Sequence, residues 1–374
     1  MADRLIEPFD KVKQENRPLV SFVYDIPMPI RFRGITARQG MVFRGEAGWA
    51  EWSPFPEYGV AEAATWLRAA LEAADQGFPP PVRQAVPVNV TIPATDPDTA
   101  HRLAAASGCA TAKVKVAEPG QSLADDVARV EAVRDALGPD AHIRVDANGA
   151  WTADEAVAAL KQLSRFGLEY AEQPCASVGE LAAVRRVVRD LGVRIAADES
   201  IRRSGDPYRV KAAGAADIAV LKVQPLGGVR ACLRLAEELD MQVVVSSALE
   251  TSIGLRAGIG LAAALPDLPY ACGLNTAPLL AGDLVTDPLV PPGTVPDGNR
   301  NRLVPPGTVP DGNRNPLPEG PPPRWQPEPS PVALAGVIGV RDVVADPDLL
   351  DRFRADAATD RVWRARLAAC LDYL

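Results

Sequence analysis

Residues 142–200 contain three short apolar segments, HIRVDAN (142–148), LEYAEQP (168–174) and RIAADES (194–200), closing on Asp146, Glu172 and Asp198. Both intervals between these acids are 26 residues. A short apolar run followed by an amphipathic stretch is the pattern of a parallel strand joined to the next through a helix. Constant spacing brings each unit back to the same end of a barrel, so the three carboxylates share one rim. Lysines continue the rhythm. Lys113 and Lys115 in ATAKVKVA (110–117) lie one unit earlier, and Lys222 in DIAVLKV (217–223) follows Asp198 by 24 residues.

Extending outward, the same alternation yields eight strands: 85–92, 110–117, 142–148, 168–174, 194–200, 217–223, 242–250 and 270–276. Eight strand and helix units over this length predict a closed (β/α) barrel of TIM type rather than an open sheet. The intervening helices carry their own start and stop signals. SLADDVARVEAVRDALG (122–138) opens on a Ser cap and ends at Gly-Pro, while TADEAVAALKQLSRFG (152–167) has a Thr-x-x-Glu box and a terminal Gly.

Residues 1–84 mix alternating strand patterns with Gly and Pro turns and then a helix at AEAATWLRAALEAAD, which predicts an α+β capping domain ahead of a barrel at 85–285. Arg31, Arg33 and Arg38 in the cap strands are read as surface charges rather than substrate contacts. Residues 289–302 are repeated almost letter for letter at 303–316, and 15 of the 36 prolines fall between Asp287 and Pro331. A segment so rich in proline cannot sustain a ladder or helix, so 286–331 is expected to loop out as an insertion. The remainder, 332–374, is expected to form helices that pack back on the cap, two short ones over 346–374.

A formal charge of −8 and 47% hydrophobic content describe an ordinary globular chain and favour a small-molecule partner over nucleic acid. No signal-type or membrane-spanning run is present, so membrane insertion is not expected and the anticipated location is cytoplasmic. The oligomeric state is left open. Five scattered cysteines without CxxC spacing read as reduced thiols. His101 and His142, the only histidines, offer neither a metal pair nor a serine-type triad.

Lys113 and Lys115 are two apart on a strand, so both can enter the barrel interior, where mutual repulsion should lower the pKa of one into the range of a base. Lys222, four strands further round, stands opposite. Clustered carboxylates without His or Cys select a hard cation, Mg²⁺ with Mn²⁺ as a substitute. Amines on both sides of a metal-binding acid cluster suit removal of a proton next to a carboxylate, with the resulting enediolate stabilised. A single acid or lysine is read most simply as a solvated strand-end charge; five in register on five successive strands are not.

The motifs AKVKV, DANG, EQP, ADES and LKVQPLGG resemble the K-x-K, D-x-N, E-x-P, D-E-S and K-x-x-x-x-G-G pattern of the enolase superfamily, specifically its muconate-lactonizing branch. GWAEWSPFPEYG (48–59), SSALETSIG (246–254) and GLNT (273–276) point within it to a dehydratase group of menaquinone biosynthesis. The resemblance implies a Mg-dependent lyase that converts 2-succinyl-6-hydroxy-2,4-cyclohexadiene-1-carboxylate to 2-succinylbenzoate. It also implies roles. Asp146, Glu172 and Asp198 would bind the metal, and Lys115 would move the proton. Lys222 would stabilise the enediolate, with Lys113 balancing charge. Asn148 and Glu199 would stand behind the ligands, and Ser246 and Ser247 would line the substrate pocket with the cap. N-acylamino acid racemization or dipeptide epimerization on the same scaffold stays open, since opposed lysines serve both. A Schiff-base aldolase and a non-catalytic barrel are more distant readings.

Overall fold

The computed structural model describes residues 21–32, 34–202, 206–292 and 336–374, with backbone alone at 31 and 32. The described residues open with an antiparallel sheet of β1 (Ser21–Phe32), β2 (Ile35–Gly45) and β3 (Gly48–Trp52), covered by α1 (Val60–Asp75). Then come β4 (Ala85–Ile92), α2 (Pro97–Ala105), β5 (Thr111–Lys115), α3 (Leu123–Leu137), β6 (His142–Asp146), α4 (Ala153–Leu163), β7 (Leu168–Glu172), α5 (Val178–Val188) and β8 (Arg194–Ala197). The series continues with α6 (Asp206–Ala212), β9 (Ile218–Leu221), α7 (Val229–Leu239), β10 (Gln242–Val245), α8 (Ser252–Ala264) and β11 (Cys272–Asn275). After the duplicated segment stand β12 (Val337–Gly339), α9 (Pro347–Arg352) and α10 (Ala357–Tyr373).

The eight strands β4 to β11 form one parallel sheet in the order β10-β9-β8-β7-β6-β5-β4-β11. Its two ends meet through a parallel bridge between Ser246 and Gly273, where Ser247 N–H donates to the Gly273 carbonyl at 2.9 Å. The barrel is thus nearly closed, with weaker pairing at that seam. Register sets the inward face: Lys115 pairs with Asp146 and Asp146 with Glu172, so one level of the barrel carries all three. Tyr170, Ala196, Ile218, Val220, Val244 and Tyr270 form a small separate cluster. All but Tyr270 precede Glu172, Asp198, Lys222 or Ser246 by two or four positions, which places them on the same strand faces. The apolar plug therefore sits below the charged end, and Tyr170 meets Tyr270 edge to face at 5.8 Å.

Local sequence explains the helix starts. Ser122 with Asp125, Thr152 with Glu155 and Ser177 with Glu180 each form a reciprocal capping box, contributing about 1 kcal/mol apiece. Gly138 and Gly167 end their segments at φ of 81° and 67°.

Three features differ from the sequence reading. β12 is a strand where helices alone were expected, paired antiparallel to β4. α10 runs for 17 residues rather than being short, because Trp363 and Cys370 bury one side of it and Trp363 meets Trp52 edge on at 5.4 Å. Arg38 is no surface charge; it is 1% exposed and bonded to the barrel. Most of the duplicated segment, and Arg33, lie outside the described residues. All five cysteines are buried and free. No helix among the described residues is long and apolar enough to cross a membrane.

Candidate active site

Lys115, Asp146 and Glu172 are the last residues of β5, β6 and β7, while Asp198 and Lys222 come one residue after β8 and β9. Alternation turns all five inward at the C-terminal end of the barrel. Asp146, Glu172 and Asp198 are at most 1% exposed. Lys113 Nζ lies 2.8 Å from Glu172 and 3.2 Å from Asp146, bridging two acids. Lys115 Nζ donates to Asp146 at 2.5 Å and to Asn148 Oδ1 at 2.7 Å. Across the mouth, Lys222 Nζ donates to Asp198 at 2.6 Å.

Charges this close and this dry pull in opposite directions. Burial disfavours ionised Asp146, but Lys115 and Lys113 outweigh it and hold the carboxyl below the usual range. Burial likewise opposes Asp198, which Arg202 and Lys222 hold well down. Glu172 is pushed up to about 7 by burial and then by the charge of Asp146. Burial would depress Lys113, yet Glu172 and Asp146 keep it well above its ordinary value. Lys222 is lowered, by burial first, with Asp198 opposing. Lys113 is therefore not a lowered lysine: two carboxylates lie within 3.2 Å of its Nζ.

The rim is held by unusual backbone. Ala117, Asn148, Gln173 and Leu249 have φ of 60°, 47°, 38° and 64°, and each lies within four residues of the end of β5, β6, β7 or β10. Left-handed conformations cost such residues roughly 1–3 kcal/mol each. Gln173 shows what is gained. Its Oε1 accepts from the N–H groups of Asp198 and Ser200 at 3.0 and 3.2 Å, and its Nε2 donates to Ser200 Oγ and the Cys175 carbonyl. One side chain thereby fixes the loop that carries Asp198.

Ser246 and Ser247 line the pocket above the acids, with Lys113, Lys115, Asp146, Asn148, Asp198 and Lys222. Ser247 Oγ is 2.7 Å from Thr276 Oγ1. Asn148 Nδ2 donates to Glu199 Oε1 at 3.2 Å. Sequence reasoning passed over Arg202 and Phe55, which also line the pocket. Arg202 reaches Asp198 at 2.8 Å, Glu199 at 2.7 Å and Tyr58 of the cap at 3.2 Å. Its place four residues after Asp198 within DESIRR was the available signal. His142 opens β6 and faces Glu169 at 3.6 Å, and His101 faces Asp135 at 3.3 Å, both away from the lysines.

The donor chemistry fits a hard divalent cation. The three clustered acids offer carboxylate oxygens; burial and then the charge of Asp146 hold Glu172 near 7, and Glu199 Oε2 is buried without a hydrogen-bond donor among the described residues. A cation relieves both conditions. As the side chains stand, ammonium groups take that place, and no three acids, histidines or cysteines among the described residues close around one point.

A barrel preceded by an α+β cap, with this acid and lysine rim, defines the enolase-like class. The Enolase N-terminal domain-like family matches residues 23–74 and the Enolase C-terminal domain-like family residues 97–299, so the chain belongs to the enolase superfamily. Its relatives include the o-succinylbenzoate synthase of Thermobifida fusca, 65% identical over 268 residues, covering 72% of this chain and 84% of the relative. The o-succinylbenzoate synthase of Mycobacterium marinum is 52% identical over 289 residues, 75% of this chain and 86% of the relative. Among solved structures, muconate lactonizing enzyme from Pseudomonas fluorescens superposes with a TM-score of 0.68 at 21% identity, covering 91% of this chain and 99% of that one. Dipeptide epimerase from Enterococcus faecalis gives 0.58 at 22%, covering 73% and 94%. These two likenesses concern the fold.

Proposed function

We propose that the chain acts as an o-succinylbenzoate synthase, removing water from 2-succinyl-6-hydroxy-2,4-cyclohexadiene-1-carboxylate to give 2-succinylbenzoate. The observation that carries the reading is the pair Lys115 and Lys222 set on opposite walls of one buried carboxylate cluster, in a chain whose relatives at 52–65% identity bear that name.

In this reading Lys115, as the free amine, takes the proton from the carbon bearing the carboxylate, and the electron pair passes into the carboxylate as an enediolate. The pair then returns to form the ring double bond, the C–O bond breaks, and Lys115 hands its proton to the departing hydroxyl as water. One residue performs both transfers, so proton and hydroxyl leave from the same face. The Lys222 ammonium stabilises the enediolate from the other side, and burial strengthens that attraction. Lys113 offsets the negative charge of Glu172 and Asp146. Asp146, Glu172 and Asp198 would hold Mg²⁺, for which Mn²⁺ can substitute; when bound, the ion supplies further stabilisation of the enediolate oxygens.

The test follows the cyclohexadiene absorbance with purified protein and Mg²⁺, beside chelator-treated protein and Lys115→Ala. Turnover that both treatments abolish supports the dehydratase. No turnover of this substrate, with exchange of α-hydrogen into N-acylamino acids or dipeptides instead, would replace it with the racemase or epimerase activity of the same scaffold.

A further inference from the structure

Arg38 lies in β2 of the cap, outside the acid and lysine cluster, and is 1% exposed. Burying a guanidinium is costly unless an anion or a full set of acceptors meets it. No carboxylate pairs with Arg38 among the described residues; its donors end on neutral oxygens. Nε donates to the Leu249 carbonyl at 3.0 Å. Nη2 meets the Ala248 carbonyl at 3.1 Å, the Ser53 carbonyl at 2.5 Å and Ser53 Oγ at 2.8 Å, while Nη1 takes the Gln39 carbonyl at 3.1 Å.

These partners belong to two facing segments. Ser53 begins the cap turn that carries Phe55, whose ring lies 4.6 Å beneath the guanidinium. Ala248 and Leu249 follow β10, and all three of Phe55, Ala248 and Leu249 line the pocket. Leu249 is in the left-handed region, with φ of 64°. Attachment of cap to barrel is already provided nearby. Glu51 accepts from Thr251 N–H at 3.0 Å, Thr251 Oγ1 at 2.5 Å and Gly254 N–H at 3.2 Å, and Gln224 accepts from Ser53 N–H at 3.1 Å. What Arg38 adds is a fixed separation between the two walls.

We infer that Arg38 is a positioning residue that ties the Phe55 turn to the Ala248–Leu249 loop, so that both walls of the substrate pocket hold one spacing. This rests on the reading of the pocket as the substrate site. A rigid fork is required because the carbonyls it joins come from separate segments, and a lysine, with one nitrogen, cannot span them.

The experiment compares Arg38→Ala and Arg38→Lys with the unaltered protein by kinetics and by hydrogen exchange. In Arg38→Ala, KM for the cyclohexadiene substrate should rise at least about 10-fold while kcat changes less than about 3-fold, the signature of lost binding away from the reacting atoms. Exchange should accelerate together in 53–58 and 246–251 and stay unchanged in the barrel helices. Guanidinium chloride at millimolar concentration should restore KM and protection in the alanine variant. The lysine variant should fall between, and it carries the kinetic and exchange tests if the alanine variant does not fold.

An unchanged KM, exchange that rises in one segment only or throughout the chain, or full replacement by lysine would overturn the inference. Inactivity of the unaltered protein on this substrate would sink the proposed function instead, and the exchange measurements would still decide the role of Arg38.

Discussion

Two sets of charged groups share the inside of one barrel, Arg144 lying two residues before Asp146 on β6. In the lower set, Arg144 donates to Glu169 at 2.5 Å, to Asn89 at 3.1 Å and to the Ala271 carbonyl at 2.6 Å, with Tyr170 stacked 4.7 Å away. Tyr270 OH donates to Gln242 at 2.6 Å and receives Arg194 at 2.6 Å. Arg144 and Glu169 pair one cation with one anion, although Arg144 Nη2 is buried without a hydrogen-bond partner among the described residues. In the upper set, Lys113 serves two acids, Asp198 receives two cations, and Glu172 is driven up to about 7. The lower set rests on a single ion pair, whereas the upper one shares its ions among several partners. Burial strengthens interactions in both; matching decides whether the outcome is rigidity or chemistry that a ligand can complete.

The comparison can be broken from either end. Removing the upper amine in Lys115→Ala should lower kcat/KM by about 10⁴-fold, the upper range for a general acid–base group, with little change in the urea midpoint. Activity and chemical denaturation on the same preparation check both halves. Removing the lower cation in Arg144→Met leaves Glu169 with only His142, at 3.6 Å, and should cost about 3 kcal/mol of unfolding free energy. A loss below 1 kcal/mol would mean that the lower pair is not the rigid counterpart described here.

Asp283 provides a reference outside both sets. It accepts from Ser252 and Leu284, yet burial pushes it up to about 6. Its folded value exceeds the unfolded one, so the folded state holds the proton more tightly and stability falls as pH rises between the two. The loss from this group between pH 3 and pH 7 should approach 3 kcal/mol by the rule of about 1.4 kcal/mol per unit. Urea titrations should show Asp283→Asn losing that slope relative to the unaltered chain. Finally, Mg²⁺ at 100 times its dissociation constant should raise stability by about 2.7 kcal/mol, and Asp146→Asn should abolish most of the gain. An equal gain in that variant would place the ion elsewhere.

The barrel was legible because its signal is periodic: eight apolar runs, acids 26 residues apart, and caps such as Ser122 and Thr152 written locally. The meeting of Lys115 with Asp146, and of Lys222 with Asp198, follows from strand alternation alone. What the sequence concealed is set by contacts between distant segments. Arg38 was read as exposed because its partners in the loop after β10 stand 210 and 211 positions away. The raised pKa of Lys113 was hidden for a related reason: the nearest carboxylate belongs to Glu172, 59 residues on, rather than to a neighbour in the strand. β12 has three residues and takes its pairing from β4, so local pattern carried little trace of it.

The four left-handed residues at the rim, Ala117, Asn148, Gln173 and Leu249, bear on how this chain can be changed. Glycine would relieve the backbone at each of them, so a selection for heat tolerance alone has a reason to choose it. At Gln173 that choice removes the amide that locks the loop of Asp198. At Leu249 it lengthens the conformational reach of a pocket wall. The route toward a sturdier fold therefore runs through the positions where the catalytic end is held in shape, and improvement scored by folding would erode turnover.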